Sequence, residues 1–159
     1  MKVKVGFGFD VHQLQEGLPF SLGGITIEHT KGALGHSDAD VLIHAICDAL
    51  LGAAGLNDIG YYFPDTSSEF KGIDSKILLH RVVELISEKG FIIGNVDASL
   101  CLEKPKINPH ILHMKEILAP ILKIDTTDIS IKATTNEKMG FVGREEGVAA
   151  YAVVLIEKV

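Results

Sequence analysis

The sequence predicts an α/β (α+β) fold in which a four-stranded sheet packs against three helices on one face. Three observations predict it: apolar residues recur at helical spacing in three stretches, they alternate or run continuously in four others, and the two kinds interleave along the chain. The 159 residues are enough for one domain with its own core. No repeat, low-complexity segment or linker divides them, so residues 1–159 read as a single domain.

The pattern begins with a strand over Lys2 to His12, followed by a hairpin over Phe20 to Glu28 around Gly23-Gly24. From Ser37 to about Ala54 the positions Val41, Leu42, Ala45, Ile46, Ala49 and Leu50 fall on one helical face, with Ser37 or Asp38 to cap the start and Gly55 to end it. A second helix runs from about Ser75 to Lys89 and stops at Gly90. Asn95 to Glu103 alternates as a strand with Val96, Ala98, Leu100 and Leu102 on one side. Pro109 suits the opening of a third helix that ends near Pro120. Asp128 to Thr135 and Val148 to Glu157 complete the sheet; the last is nearly all apolar, as a central strand would be. The uncovered face of the sheet invites a partner subunit.

Composition narrows the function classes. Hydrophobic residues make up 47% of the chain and charged residues 23%, normal for a soluble protein. No window approaches the roughly 20 apolar residues of a membrane span. The N-terminus lacks a signal-peptide pattern, so the expected compartment is the cytoplasm. The net charge of −6 with scattered lysines argues against nucleic acid or an anionic membrane as partner. Cys47 and Cys101 are too few for a cysteine zinc cluster or a disulfide framework.

Three clusters carry chemistry. Asp10 and His12, two apart on a strand, point to the same side. His44 sits mid-helix with Asp40 and Asp48 at i−4 and i+4, where a carboxylate can orient a ligating imidazole. Two His and one Asp with an open position make a catalytic zinc set, while a hydrogen-bonded helix histidine fits the same residues. Gly35-His36-Ser37-Asp38 precedes that helix and suits either a phosphate seat or an ordinary cap. Lys132-Ala133-Thr134-Thr135-Asn136-Glu137, with Gly140 to Arg144 behind it, offers hydroxyls, a carboxylate for a hard cation and an arginine, or else a capped turn. Gly6-Phe7-Gly8 looks like half a dinucleotide fingerprint, but it lies within a strand with no helix following.

Gly8-Phe9-Asp10-Val11-His12, His36-Ser37-Asp38-Ala39-Asp40-Val41, Asp58-Ile59-Gly60 with Phe63-Pro64-Asp65-Thr66, and Lys132 to Phe141 together resemble the 2-C-methyl-D-erythritol 2,4-cyclodiphosphate synthase family over essentially the whole chain. The resemblance implies a lyase of non-mevalonate isoprenoid biosynthesis, a homotrimer with a mixed sheet in each subunit, and active sites between subunits. It implies zinc on Asp10, His12 and His44, and magnesium or manganese on Glu137 and the substrate diphosphate. His36 and Thr135 would stabilise the transition state. Sugar and phosphate contacts would come from Asp10, His12, Ser37, Asp58, Ile59, Gly60, Phe63, Pro64, Asp65, Thr66 and Ser67. Cytidine would meet Leu102, Glu103, Lys104, Pro105, Lys106, Ile107 and Asn108, then Thr134, Thr135, Asn136, Glu137, Phe141 and Arg144. Phe9, Phe141 and Arg144 would line a trimer-axis cavity able to hold an isoprenoid diphosphate. Asn136 stands where the family often has threonine, Ala39 where it has glycine, Ser67 where it has aspartate, and Leu102-Glu103-Lys104 departs from its usual small and amide residues.

Overall fold

The structure, a computed structural model, describes residues 2–159. Its sheet contains β1 (Val3–Glu16), β4 (Lys31–Leu34), β5 (Phe91–Cys101), β6 (Ile129–Thr134) and β7 (Gly147–Lys158) in the order β4-β1-β7-β5-β6. Only β5 and β6 run parallel, so the sheet is mixed. A separate hairpin pairs β2 (Phe20–Leu22) with β3 (Ile25–Ile27) across Gly23-Gly24, whose φ of 62° and 82° are left-handed. As its apolar sequence predicts, β7 is the central strand.

Three long helices, α1 (Val41–Ala54), α3 (Ser75–Glu88) and α4 (Ile111–Leu122), cover one face. α1 lies over β1 and β7, α3 packs beside it against β5, and α4 packs against α3 and β6. Two single-turn helices, α2 (Ile59–Tyr62) and α5 (Gly140–Gly143), sit in connections too short to show helical periodicity. The core between the layers includes Leu42, Ile46, Leu50, Leu79, Leu100, Met114, Leu118 and Val154, all buried.

The sheet has five strands rather than the expected four. The added strand, β4, is four residues long and contains Gly32, too little for a pattern; pairing with Gln13–Glu16 makes it a strand. α1 also starts later than Ser37. Ala39 is left-handed at φ 59°, which breaks the helix, and Asp40 is the cap, its carboxylate accepting the Ile43 N–H at 3.0 Å. Gly55 ends the helix at φ 70°, as expected. Pro120 lies inside α4, which runs on to Leu122, and Pro109 opens a 3₁₀ turn ahead of it.

Packing of α1 on β1 sets the geometry of everything nearby. A Cβ at Gly6 would lie 1.9 Å from the Ala49 carbonyl oxygen, and one at Gly8 1.9 Å from that of Ala45. The helix therefore rests on bare backbone, with Ala45, Ala49 and Ala53 facing it. On the opposite face of the sheet Val5, Phe7, Phe9, Val11, Tyr151 and Val153 remain 40–65% exposed. Tyr151 stacks obliquely on Phe9 with ring centroids 5.1 Å apart.

Gly8→Ala must push α1 off the strand against backbone atoms, an overpacking that costs about 1–3 kcal/mol. The urea midpoint should fall accordingly, and an unchanged midpoint would show that the helix is free to shift.

Candidate active site

Alternation along β1 sends Lys4, Gly6, Gly8, Asp10 and His12 to the helix side. Two strand residues advance about 6.6 Å and four helix residues about 6 Å, so the two elements stay in step. Gly6 faces Ala49 and Ala53, and Gly8 faces Ala45 and Ala49. Asp10 and His12 consequently arrive at His44. Asp10 Oδ2 lies 2.9 Å from His12 Nε2 and 3.1 Å from His44 Nδ1, and the two nitrogens are 3.2 Å apart.

The outer hydrogen bonds fix both tautomers. His12 Nδ1 lies 3.1 Å from the Leu34 carbonyl oxygen, which can only accept, so Nδ1 carries the proton and Nε2 presents a lone pair inward. Ser75 Oγ donates to Asp38 and therefore accepts from His44 Nε2 at 2.8 Å, leaving Nδ1 of His44 with an inward lone pair. Three acceptors thus converge without a donor between neutral rings. Ligands of a tetrahedral ion with bonds of about 2.1 Å would be about 3.4 Å apart, so a small divalent cation fits this trio. Among the described residues it is the one such group of histidine, cysteine or carboxylate side chains.

In metal-free protein, a proton on the inner nitrogen of His12 takes the place of the cation and is donated to Asp10. Burial alone would raise the Asp10 carboxyl, but hydrogen bonds and charge from His12 and His44 outweigh it and hold Asp10 at about 2. Burial opposes protonation of His12, yet Asp10 and the Leu34 carbonyl prevail and raise its pKa above the ordinary 6.5.

Neither Asp40 nor Asp48 orients His44, contrary to the expectation from helical spacing. Asp40 is fully buried and spends its oxygens on the N–H groups of Gly23, Gly24 and Ile43. Asp48 accepts the Ile59 N–H at 2.8 Å and so anchors α2. The orienting role belongs to Ser75, with Asp38 behind it. Ser75 opens α3, far along the chain, and no local pattern links it to His44. Asp40 also removes the helix N-terminus as a phosphate seat, because a carboxylate already occupies it.

A cavity of about 530 Å³ opens beside the trio, lined by His12, Gly35, His36, Ser37, His44, Ile59, Gly60, Phe63, Pro64, Asp65 and Thr66. His36 Nε2 donates to the Ser67 carbonyl at 2.7 Å, and Asp58 caps α2 through the Tyr61 N–H. Most of the expected sugar and phosphate contacts are thus gathered around the metal trio.

The other expected residues lie elsewhere. Leu102, Pro105, Lys106, Ile107, Asn108, Thr134 and Thr135 line a second cavity of about 220 Å³ at the ends of β5 and β6. Glu137 is exposed and is not part of the metal trio. Glu103 turns its carboxylate to backbone N–H groups, and Lys104 makes an ion pair with Glu145 at 3.6 Å. Arg144 forms a two-pronged pair with Glu146, at 3.0 and 3.2 Å. The two cavities share no lining residue.

Two outcomes follow from the trio. Ser75→Ala leaves His44 Nε2 with only the longer contact to Ser37 Oγ, at 3.2 Å, and should weaken divalent-metal binding about 10–100-fold with the fold retained, as read by competition with a chelator; equal affinity would remove Ser75 from the orienting role. In metal-free protein the raised His12 pKa adds stability that is fully present below the ordinary 6.5 and lost as pH rises through the folded value. Melting temperature should then fall as pH rises above 6.5, His12→Ala should flatten that slope, and a divalent cation held by the trio should restore the lost stability. The Asp10 contribution is lost only on acidification toward about 2.

Comparison with known proteins agrees with this architecture. The profile of the YgbB family matches residues 3–157. A 2-C-methyl-D-erythritol 2,4-cyclodiphosphate synthase of Bacteroides fragilis is 66% identical over 159 residues, covering 100% of both chains. The synthase of the same name from Porphyromonas gingivalis is 61% identical over 153 residues, 96% of this chain and 94% of its own. Among solved structures, the bifunctional IspDF of Campylobacter jejuni superposes with a TM-score of 0.95 at 41% identity, over 99% of this chain and 43% of that one. IspF of Plasmodium falciparum in complex with CDP superposes with a TM-score of 0.86 at 33% identity, over 98% and 96% of the two chains. With a full-length profile match and relatives this similar from end to end, the chain belongs to the YgbB family.

Proposed function

We propose that this chain, acting as a single catalytic domain over residues 1–159, converts 4-diphosphocytidyl-2-C-methyl-D-erythritol 2-phosphate to 2-C-methyl-D-erythritol 2,4-cyclodiphosphate and CMP. The observation that carries the reading is the trio of Asp10, His12 and His44, with both imidazole lone pairs turned inward beside a cavity. Its full-length relatives bear the name of that synthase.

An oxygen of the 2-phosphate attacks the β-phosphorus, the bond from that phosphorus to the CMP oxygen breaks, and CMP carries away the electron pair. The nucleophile is already anionic, so the chain has no need of a strong general base. Its task is to position the two ends of the substrate and to offset charge at the β-phosphorus. Asp10, His12 and His44 would hold zinc, and Glu137 would hold magnesium or manganese with the diphosphate. When bound, these cations polarise the phosphate oxygens and balance their charge. His36 and Ser37, on the wall of the first cavity, would bind the sugar phosphate with Asp58–Gly60 and Phe63–Ser67. Leu102–Asn108 and Thr134–Glu137 would take the cytidine and diphosphate.

One substrate must reach both sets of residues, and in a single chain they lie in different cavities. A homotrimer with sites between subunits answers this and covers the exposed face of β1 and β7. An apolar cavity on the trimer axis, walled by Phe9 and Phe141 with Arg144 at its mouth, would admit an isoprenoid diphosphate; Arg144 would have to be shared with Glu146. No helix among the described residues is long and apolar enough to cross a membrane, in keeping with cytoplasmic work.

Phosphorus NMR of the protein with the proposed substrate, zinc and magnesium should show a cyclic diphosphate and CMP, and EDTA should stop the reaction. Linear hydrolysis products would replace the reading with a hydrolase. His44→Ala should lose zinc and reduce turnover at least about 10³-fold, since the charge it helps hold acts directly on the transition state. Light scattering should give three times the chain mass.

A further inference from the structure

Glu103 stands just beyond the end of β5, where pairing with β6 continues through the Leu102 N–H to the Thr134 carbonyl at 3.1 Å. Beyond Thr134 the chain turns sharply. Glu137 and Lys138 are both left-handed, at φ 52° and 61°, and neither is glycine. Side chains rarely adopt that conformation, and two in succession persist only where the surroundings hold them.

The turn brings the N–H groups of Asn136 and Lys138 toward one point, a small seat for an anion, while the Glu137 N–H between them turns to Thr135. Here the anion comes from within the chain. One carboxylate oxygen of Glu103 accepts the Asn136 N–H at 2.9 Å and the Lys138 N–H at 3.4 Å. Thr135 Oγ1 accepts the Glu137 N–H at 3.3 Å, and the Met139 N–H closes the turn on the Asn136 carbonyl at 2.9 Å. The Glu137 side chain is left exposed, outside this seat.

We propose that Glu103 is a positioning residue: its carboxylate fills the backbone seat of the 135–138 turn and so sets the placement of Thr135 and Glu137. This rests on the proposed function for what Thr135 and Glu137 do, but not for the clamp itself. Glu103 is then withdrawn from the side-chain contacts to cytidine that its position in the loop suggests. Charge is not essential to the clamp; an acceptor oxygen at the same place is. Glu103→Gln should therefore rescue what Glu103→Ala loses.

The test has two readouts. In amide hydrogen exchange of the intact protein, Asn136 and Lys138 should be protected in the parent and in Glu103→Gln, and exchange at least about tenfold faster in Glu103→Ala. Equal exchange in parent and Glu103→Ala would overturn the clamp, whatever the enzyme does. In turnover with the cytidine diphosphate substrate, Glu103→Ala should lower kcat about 10–100-fold and raise the magnesium concentration needed for half-maximal rate, with zinc content unchanged. A rise in KM alone, with kcat and the magnesium titration unaltered, would make Glu103 a substrate contact instead. Absence of turnover in the parent would count against the proposed function and leave the exchange result to decide the clamp.

Discussion

The close approach of α1 to β1 is the constraint on which the rest of this structure depends. Two glycines on the strand and three alanines on the helix allow backbone to meet backbone. At that separation the helix and strand advance in step, and the next same-side residues of the strand, Asp10 and His12, meet His44. A metal trio assembled from one strand and one helix needs no loop to hold it. Its precision comes from the least adaptable contact in the molecule, since packed interiors do not shift by even one methyl group without strain.

Around that contact, carboxylates that are buried or partly buried do structural work so that the site's own groups remain free. Asp40 ties the β2–β3 hairpin to the start of α1, and burial pushes its pKa up against the pull of the N–H groups it accepts. Asp48 holds α2, and with it the floor of the larger cavity. Asp38 binds the N–H and hydroxyl of Ser75 and thereby fixes the protonated nitrogen of His44. Glu103 does the equivalent for the turn at 135–138. In each case an acid side chain satisfies backbone donors that would otherwise need water or ligand.

The order of strands and long helices was legible because each carries its own period, and β7 announced itself as central by its unbroken apolar run. Asp10 and His12 converge by strand alternation alone, so two of the three were readable locally. His44 was a candidate, but its meeting with them depends on tertiary packing that periodicity does not encode. Its partners show why the rest was hidden: Asp40 and Asp48 had the right spacing and other duties, whereas Ser75 had the duty and no spacing. Gly6-Phe7-Gly8 was rightly set aside as a fingerprint, but its use, letting α1 approach the strand, was not legible. β4 and α5 were illegible because four residues make no pattern.

The separation of the two cavities within one chain has a genetic corollary. Under the proposed assembly each site takes its metal trio from one subunit and its Thr135–Glu137 turn from a neighbour. Alleles damaged in different halves are then not equivalent to a double lesion. Co-expressed in one cell, a chain lacking His44 and a chain lacking Glu137 would assemble some interfaces with both intact halves, and those mixed particles would complement. Two alleles damaged in the same half never could.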